Sequence, residues 1–414
     1  MSKRILLIGY NYSPEPTGIG KYSGEMIQWL AKAGHNCSVI TTYPYYPYWE
    51  VQEPYVKNKY SYLKEHKTFD SGGEITIYRC PIYVPSKPTG LKRMLLDLSF
   101  FLSAFLKLVT LLFSKKFQTV ICVAPSFQVG FLGIFYKYMR RAKFVYHIQD
   151  LQIEAAQDLE IIKSKKVIRI LFSLEEYILN KADIISSISE TMVLKIGEKA
   201  KKRVYLFPNW ADTSLFYPIM DTMNLKTDFG FRKEDIIFLY SGGIGEKQGL
   251  ESIIYAANKF RDNGLVKFII CGTGPYKEKL ISLVRENQLD NIIFMPLQPM
   301  EKFNAFLNMA DIHLVIQKSK ASDLVMPSKL TTILAVGGVA LITANKGSGL
   351  YALVSKYKMG ILVKSEDQAA LNEGIETILD NLEKDKVKES ARLYAETHLS
   401  IENIMQSFEE KILI

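Results

Sequence analysis

Apolar residues fall into short unbroken runs, separated by helix-spaced stretches and glycine-bearing turns. The first run, residues 4–9, ends at Gly9 and predicts a strand covered on both faces, as in the centre of a parallel sheet. Residues 10–20 follow as a loop with Pro14, Pro16, Gly18 and Gly20. The spacing then predicts a helix over 21–33, with Gly34 where a C-terminal glycine belongs, and a second strand over 37–42. Further strands are expected at 75–84, 118–124, 143–147, 183–187 and 204–207, and helices at 91–113 and 161–181. Residues 217–234 are polar and irregular and read as a linker. The alternation then restarts, with strands at 236–240, 266–271, 292–295, 311–316, 339–343 and 361–363. Helices are expected at 249–262, after Gly272-Thr-Gly-Pro275, and from Gln368 onward. Strand and helix alternating in this way give an α/β fold with doubly wound parallel sheets. The chain has 414 residues, too many for one core, so two domains are expected. The boundaries read as 1–215 and 216–390, with a helix over 391–414 packing back toward the first domain.

The stretch Ser241-Gly-Gly-Ile-Gly-Glu-Lys-Gln-Gly249 stands between a strand and a helix start. Free N–H groups and the positive end of a helix dipole there suit a diphosphate, and Lys247 adds a full charge. An ordinary strand-to-helix turn with a solvated lysine has the same spacing. The first loop fits neither common nucleotide fingerprint. Eight residues separate Gly9 from Gly18, and the second strand ends in Thr41, Thr42 and Tyr43 rather than an acid, against a nicotinamide site. A P-loop would need a glycine where Glu15 stands. His147, with Asp150 and Glu154 behind it, closes a parallel strand, a place that suits a ligand site, although a lone histidine is more often structural.

Two stretches suggest surfaces. Residues 43–62 are dense in aromatics, beginning Tyr-Pro-Tyr-Tyr-Pro-Tyr-Trp49; such loops stack on sugars, lie at a membrane interface or simply pack. The helix over 91–113 is flanked by Lys87, Lys92, Arg93, Lys115 and Lys116 and reaches about 30 Å, a bilayer's core thickness. Asp97 and Lys107 interrupt it, which argues against a transmembrane span. Lys92, Ser99, Ser103, Lys107, Thr110 and Ser114 share one side and apolar residues cover the rest, a pattern that fits a helix lying in a membrane surface or packed on the sheet.

Charge and cysteine usage narrow the partners. The formal net charge of +9 suits an anionic ligand or membrane face, and the basic residues are spread rather than blocked, so nucleic acid is not expected. Cys37, Cys80, Cys122 and Cys271 sit singly, without the spacing of a zinc site or disulfide framework, which fits a reducing cytoplasm. The N-terminal apolar run is too short for a signal peptide. No Asp-x-Asp pair occurs, so no metal site is expected.

Four motifs in order resemble those of retaining GT-B glycosyltransferases of family 4: Asn11-Tyr-Ser-Pro-Glu-Pro-Thr-Gly-Ile-Gly-Lys21, Phe207-Pro-Asn-Trp210, the 241–249 stretch, and Met326-Pro-Ser-Lys-Leu330 with Leu334-Ala-Val-Gly337. The chain looks most like the colanic acid biosynthesis fucosyltransferase type, and the resemblance covers nearly all of it. It implies two Rossmann-like domains facing across a cleft and a C-terminal helix crossing back. It implies a nucleotide-sugar donor and no cofactor besides it. Lys247, with Gly242 and Gly243 beside it, would grip the donor diphosphate, and Gly18 and Gly20 would approach the same phosphates. His147 would lie near the transferred sugar. Ser328, Lys329 and Asp323 would meet phosphate or sugar, Thr332 falls in a ribose-binding slot, and Pro296 and Leu297 would line the base pocket. Two slots depart from the pattern: Gly243 stands where many members have arginine, and Leu324 and Thr332 where many have glutamates. The activity implied is sugar transfer to a lipid-linked saccharide at the inner face of the plasma membrane, for capsule or exopolysaccharide. GDP-fucose is the donor the resemblance points to, with a UDP-linked amino sugar as the other candidate. A GT-B-like epimerase and a non-catalytic sugar-nucleotide binder are the competing readings.

Overall fold

The structure is a computed structural model that describes residues 2–413 except 16, 88, 89, 159–161, 163, 319–326 and 382. The side chains of Leu91, Ala155, Ala156, Asp158, Lys247 and Asn381 also lie outside the description. The chain forms two compact units, Met1–Pro208 with Met405–Ile414, and Asn209–Ile404.

The first unit is built on β1 (Arg4–Gly9), β2 (Asn36–Thr42), β3 (Leu63–Thr68), β4 (Glu74–Cys80), β5 (Thr119–Ala124), β6 (Lys143–Ile148), β7 (Ile184–Ser187) and β8 (Val204–Leu206). Their order in the sheet is β3-β4-β2-β1-β5-β6-β7-β8, parallel throughout except for β3 against β4. Ile5 pairs with Cys37 on one side and Thr119 on the other, so β1 is central and Ile5 to Ile8 are wholly buried. The chain leaves β1 toward β2 and later returns to its other side at β5, which makes β1/β5 the switch point of the sheet. Helices α1 (Gly18–Lys32), α2 (Gly90–Leu111), α3 (Val129–Arg140), α4 (Gln152–Asp158), α5 (Lys165–Lys181) and α6 (Glu190–Ala200) complete the unit. Residues 405–414 join it through Phe408 stacked on Phe207 at 4.3 Å and Glu409 at 3.0 Å from His35.

The expected strands are present within a residue or two, except that Pro81 ends β4 at Cys80 instead of 84. Three elements of the first unit differ from the sequence reading. The helix expected from 21 begins at Gly18, because the Thr17 hydroxyl accepts the Gly20 N–H; Gly18 and Gly20 therefore lie in the first helical turn, not in a loop. β3 has no apolar period to betray it: it is an exposed edge strand, fixed by Glu65, which accepts from buried Arg79 at 2.5 Å. Third, the polar side of α2 faces the protein. Ser103 exchanges hydrogen bonds with Tyr62, Ser99 accepts from the Tyr83 N–H, and Lys107 lies over the Tyr62 and Tyr78 rings. Leu96, Phe100, Ala104, Leu108 and Leu111 enter the core, while Leu95, Leu98, Leu102 and Leu106 are left exposed.

The second unit holds β9 (Ile236–Ser241), β10 (Val266–Cys271), β11 (Ile292–Met295), β12 (Ile312–Val315), β13 (Ala340–Thr343) and β14 (Ile361–Val363), all parallel, in the order β11-β10-β9-β12-β13-β14. Ile237 and Leu239 enter one core and Phe238 and Tyr240 the other, as a strand buried on both faces requires. Its helices include α7 (Thr222–Asp228), α8 (Glu251–Lys259), α9 (Lys277–Glu286), α10 (Met300–Asn308) and α11 (Ser328–Ala335). The expected linker at 217–234 is thus part of this unit. Its polar residues are used internally: Asp221 caps α7, and buried Lys226 donates to the Asp235 carbonyl and meets Asp311 at 2.8 Å.

Candidate active site

The second sheet switches direction between β9 and β12, and ligands in open α/β sheets bind beyond the carboxyl ends of strands at such points. The turn after β9 is held by the turn after β10. The Gly242 N–H donates to Cys271 O at 2.9 Å, and the Ile244 N–H to Thr273 O at 2.9 Å. The backbones are so close that a Cβ on Gly272 would lie 1.9 Å from Gly242 O, and one on Gly274 would lie 2.1 Å from Ile244 O. Gly272 and Gly274 are therefore packing glycines, and the helix expected right after Pro275 starts later, at Lys277. Gly242 itself has φ 153°, and nothing stands within 4 Å of where a Gly243 side chain would begin. The backbone runs on through a single tight turn at Glu246–Gln248 into α8. The Lys247 side chain lies outside the described atoms.

Lys329 supplies the charge that the structure does define. It stands in the first turn of α11, and no side chain caps that helix end. Its Nζ lies 3.6 Å from the centroid of the Tyr240 ring and would be 3.0 Å from a Cβ on Gly242. The ammonium is closed off from solvent without a hydrogen-bond partner among the described residues, although the stem is partly exposed. Burial pulls its pKa from 10.5 down to about 7. Tyr240 is fixed in turn, its hydroxyl donating to Gly243 O at 2.7 Å. Among the described residues no group offsets this charge, and an amine placed against a glycine turn at the switch point has the chemistry to pair with a phosphate. Sequence reasoning missed Tyr240, which looks like one more core residue of β9; only the position of Lys329 reveals its second use.

Other expected site residues divide by geometry. Ser328 is exposed at the start of α11, and Thr332, one turn on, bonds its hydroxyl to Lys329 O. Pro296 and Leu297 follow β11; Pro296 O already accepts from the Cys271 thiol and the Gln298 side chain, and Leu297 is exposed. Asp323 lies outside the described residues. In the first unit the Gly20 N–H is taken by Thr17, and a Cβ there would meet Glu15 O at 2.9 Å, so Gly20 serves close packing. His147 is buried in β6 with Nδ1 3.0 Å from the Ser186 hydroxyl and its ring against Phe207 at 5.1 Å. Burial lowers its pKa to about 3, so it is a neutral imidazole that offers hydrogen bonding but no charge.

Comparison with known proteins fits this architecture. Residues 17–210 match the glycosyl transferase 4-like domain, and residues 221–394 match glycosyl transferases group 1. The chain is 40% identical over 415 aligned residues, 98% of each chain, to a protein of Escherichia coli described as putative colanic acid biosynthesis glycosyl transferase WcaI. Among solved structures, sucrose-phosphate synthase from Thermosynechococcus elongatus superposes with a TM-score of 0.77 at 16% identity, covering 99% of this chain and 98% of that one. HepE from Anabaena, in complex with UDP and glucose, gives 0.70 at 13% identity over 99% of each chain. WaaG, a glycosyltransferase involved in lipopolysaccharide biosynthesis, gives 0.69 at 13% over 99% of each. These folds share the two Rossmann-like α/β units described above. With a full-length relative at 40% identity and both of its halves matched, the chain belongs to the group 1 family of GT-B glycosyltransferases.

Proposed function

We propose that this glycosyltransferase moves a sugar from a nucleoside-diphosphate donor to a lipid-linked saccharide in exopolysaccharide assembly, with retention at the anomeric carbon and without a metal. The observation that carries the reading is the Lys329 ammonium against the Gly242 turn, without a partner among the described residues. The donor diphosphate sits on the Gly242–Gly245 backbone, Lys329, Ser328 and Lys247. Asp323 and Thr332 serve the sugar and ribose, and the backbone at Pro296 and Leu297 serves the base. The bond between the anomeric carbon and the diphosphate breaks, and its electron pair goes to the leaving phosphate oxygen. The acceptor hydroxyl bonds the same face of the carbon, and its proton passes to the departing diphosphate. Two fixed cations oppose the charge that develops, each worth about 3 kcal/mol of barrier. His147 holds its surroundings by hydrogen bonding.

The complex of HepE with UDP and glucose supports a nucleoside-diphosphate ligand, and the description of the Escherichia coli relative supports exopolysaccharide assembly. GDP-fucose is the first donor to try and UDP-linked amino sugars the second. A thermal-shift panel of GDP- and UDP-sugars is expected to pick one base. Nucleoside-diphosphate release is expected to fall by at least about 100-fold in Lys329→Met and Lys247→Ala. Turnover at the wild-type rate in both variants would reject the reading, and donor binding with no turnover on any acceptor would favour a sugar-nucleotide binder.

We also propose that the enzyme works at the inner face of the plasma membrane, docked through α2. By length and composition α2 could cross a bilayer, but its buried face belongs to the first core. The exposed stripe Leu95, Leu98, Leu102 and Leu106 is continued in kind on α5 by Val167, Ile170 and Leu174. α3 links the two helices, with Phe135 against Phe105 and Phe131 against Tyr177. Lys92, Arg93, Lys165, Lys166 and Arg169 rim these stripes, and Glu176 is the one exposed acid on α2, α3 and α5. Apolar stripes with a basic margin suit an anionic lipid surface.

A further inference from the structure

The amino edge of the first sheet carries a cavity that the transfer chemistry does not use. It has a volume of about 630 Å³, opens to solvent, and is lined by Lys137, Tyr138, Arg141, Ala142, Lys143 and Asp183. Small-molecule sites span about 300–1,000 Å³, so the space suits a ligand. The chain builds it locally. α3 ends at Arg140, Arg141 takes φ 50° as its C-cap, and the backbone turns straight into β6 at Lys143. β7 starts alongside, with Ile184 paired to Val145. The cavity therefore lies at the amino end of β6. His147 is four residues further on, about 13 Å along the strand, toward the edge where open α/β sheets bind their substrates.

Three cations and one acid line the space. The acid is fully engaged: one Asp183 oxygen accepts from Lys137 Nζ at 2.6 Å and the other from the Phe144 N–H at 2.8 Å. Other cations at this edge reach carbonyls left open where helices end. Lys137 also donates to Lys181 O at 2.9 Å, Arg140 to Ser114 O at 3.1 Å, and Lys202 to Asn180 O and Ala182 O at 2.5 and 3.2 Å. The side chains of Arg141 and Lys143 differ, with no ion pair or hydrogen bond among the described residues. Arg141 is exposed and Lys143 half-buried. Burial, and then the charge of nearby Lys3, hold the Lys143 ammonium below its ordinary pKa, with Asp183 opposing. Lys181 adds a further cation, 5.9 Å from the centroid of the Tyr138 ring.

We propose that this cavity binds a phosphate monoester, held by Arg141 and Lys143. Three cations against one acid leave a surplus of two positive charges, which matches the charge of about −1.5 to −2 that a phosphate monoester carries at pH 7. A guanidinium fork bonds two phosphate oxygens at once, and an ammonium adds a point charge. A single carboxylate would leave one of the two cations unmatched. A soluble ester and the headgroup of phosphatidic acid present the same group. The site depends neither on the donor reading nor on docking through α2.

The test has two arms on the full chain. One is calorimetric titration with glycerol 3-phosphate. The other is co-sedimentation with vesicles of phosphatidylcholine and phosphatidic acid mixed four to one, against phosphatidylcholine alone. Wild type is expected to bind at least one of the two forms. Arg141→Gly together with Lys143→Gln is expected to weaken that binding at least about 10-fold. Glycine adopts φ 50° freely, so the first change leaves the turn intact. Lys64→Gln with Lys67→Gln removes as much charge from the edge strand β3 and is expected to change binding less than about 2-fold. Melting temperatures check the fold of both variants, and Lys143→Gln alone repeats the test with a single change. Binding of glycerol 3-phosphate identifies a soluble ligand, and binding of the phosphatidic acid vesicles alone identifies a lipid headgroup. Binding of neither, binding that the cavity variants leave unchanged, or an equal loss in the β3 variant overturns the proposal.

Discussion

Lys329→Met isolates the charge at the glycine turn, since methionine keeps an unbranched stem of similar reach. Among the described residues the one compensation for the buried ammonium is the face of Tyr240, 3.6 Å away, a contact worth up to about 2 kcal/mol when desolvated. The folded pKa, lowered by burial from 10.5 to about 7, means that the folded state holds this proton less firmly than the unfolded chain. Stability therefore rises with pH between about 7 and 10.5, and the full penalty is present below 7. At about 1.4 kcal/mol per pKa unit the penalty is on the order of 4–5 kcal/mol at its largest. Replacing such a charge with an apolar side chain typically gains about 1–4 kcal/mol. The ligand-free variant is accordingly expected to be more stable than wild type by about that amount at pH 6–7, with the gap closing toward pH 10. Urea unfolding at pH 6, 7 and 9 measures it. A diphosphate should draw the proton back, so at pH 8 the wild type is expected to take up close to one proton on binding its nucleotide, and the variant none. Calorimetry in two buffers of different ionisation heat reads that uptake. A variant less stable than wild type at pH 6, or nucleotide binding to wild type at pH 8 without proton uptake, would refute the anion-site argument.

Three further outcomes follow from the packing. Leu95→Ser, Leu98→Ser and Leu102→Ser together are expected to abolish co-sedimentation with anionic liposomes, since a fully buried leucine is worth about 2 kcal/mol; sedimentation equal to wild type in a folded triple variant retires α2 as the anchor. Gly272→Ala would set a Cβ 1.9 Å from Gly242 O, so it is expected to cost about 1–3 kcal/mol and to weaken nucleotide binding; a change under about 0.5 kcal/mol would mean that the two turns are not packed this closely. Lys199 bridges Glu154 and buried Glu175, at 2.5 and 2.6 Å. Lys199→Met is expected to lose about 3–5 kcal/mol at pH 7. Because burial already raises the pKa of Glu175, the folded variant gains a proton as pH falls, and much of that loss is expected to be recovered at pH 5; urea midpoints that show no such recovery would contradict the buried pair.

What the chain states by itself is the framework. Central parallel strands are buried on both faces, so each is written as an unbroken apolar run, and the glycine turns after them are equally plain: β1, β5, β9 and β10 stand where the runs are. The site was legible only as residue types. Lys247 and Lys329 read as a pair of cations, yet nothing in the order of residues says that Lys329 lies on Tyr240 with no other partner among the described residues, or that His147 is too dry to carry a charge. The same limit explains the misread elements. The polarity at 217–234 is spent on partners such as Asp311, far off in the chain, and the edge strand β3 is held by Arg79 rather than by an apolar face. A helical wheel shows that α2 has a polar and an apolar side, but the tyrosines that take the polar side come from 62, 78 and 83, and their arrival turns the leucines outward. Periodicity is a local property, set by the backbone's own repeat. Desolvation and pairing depend on atoms brought together from distant positions, so only the folded chain decides them.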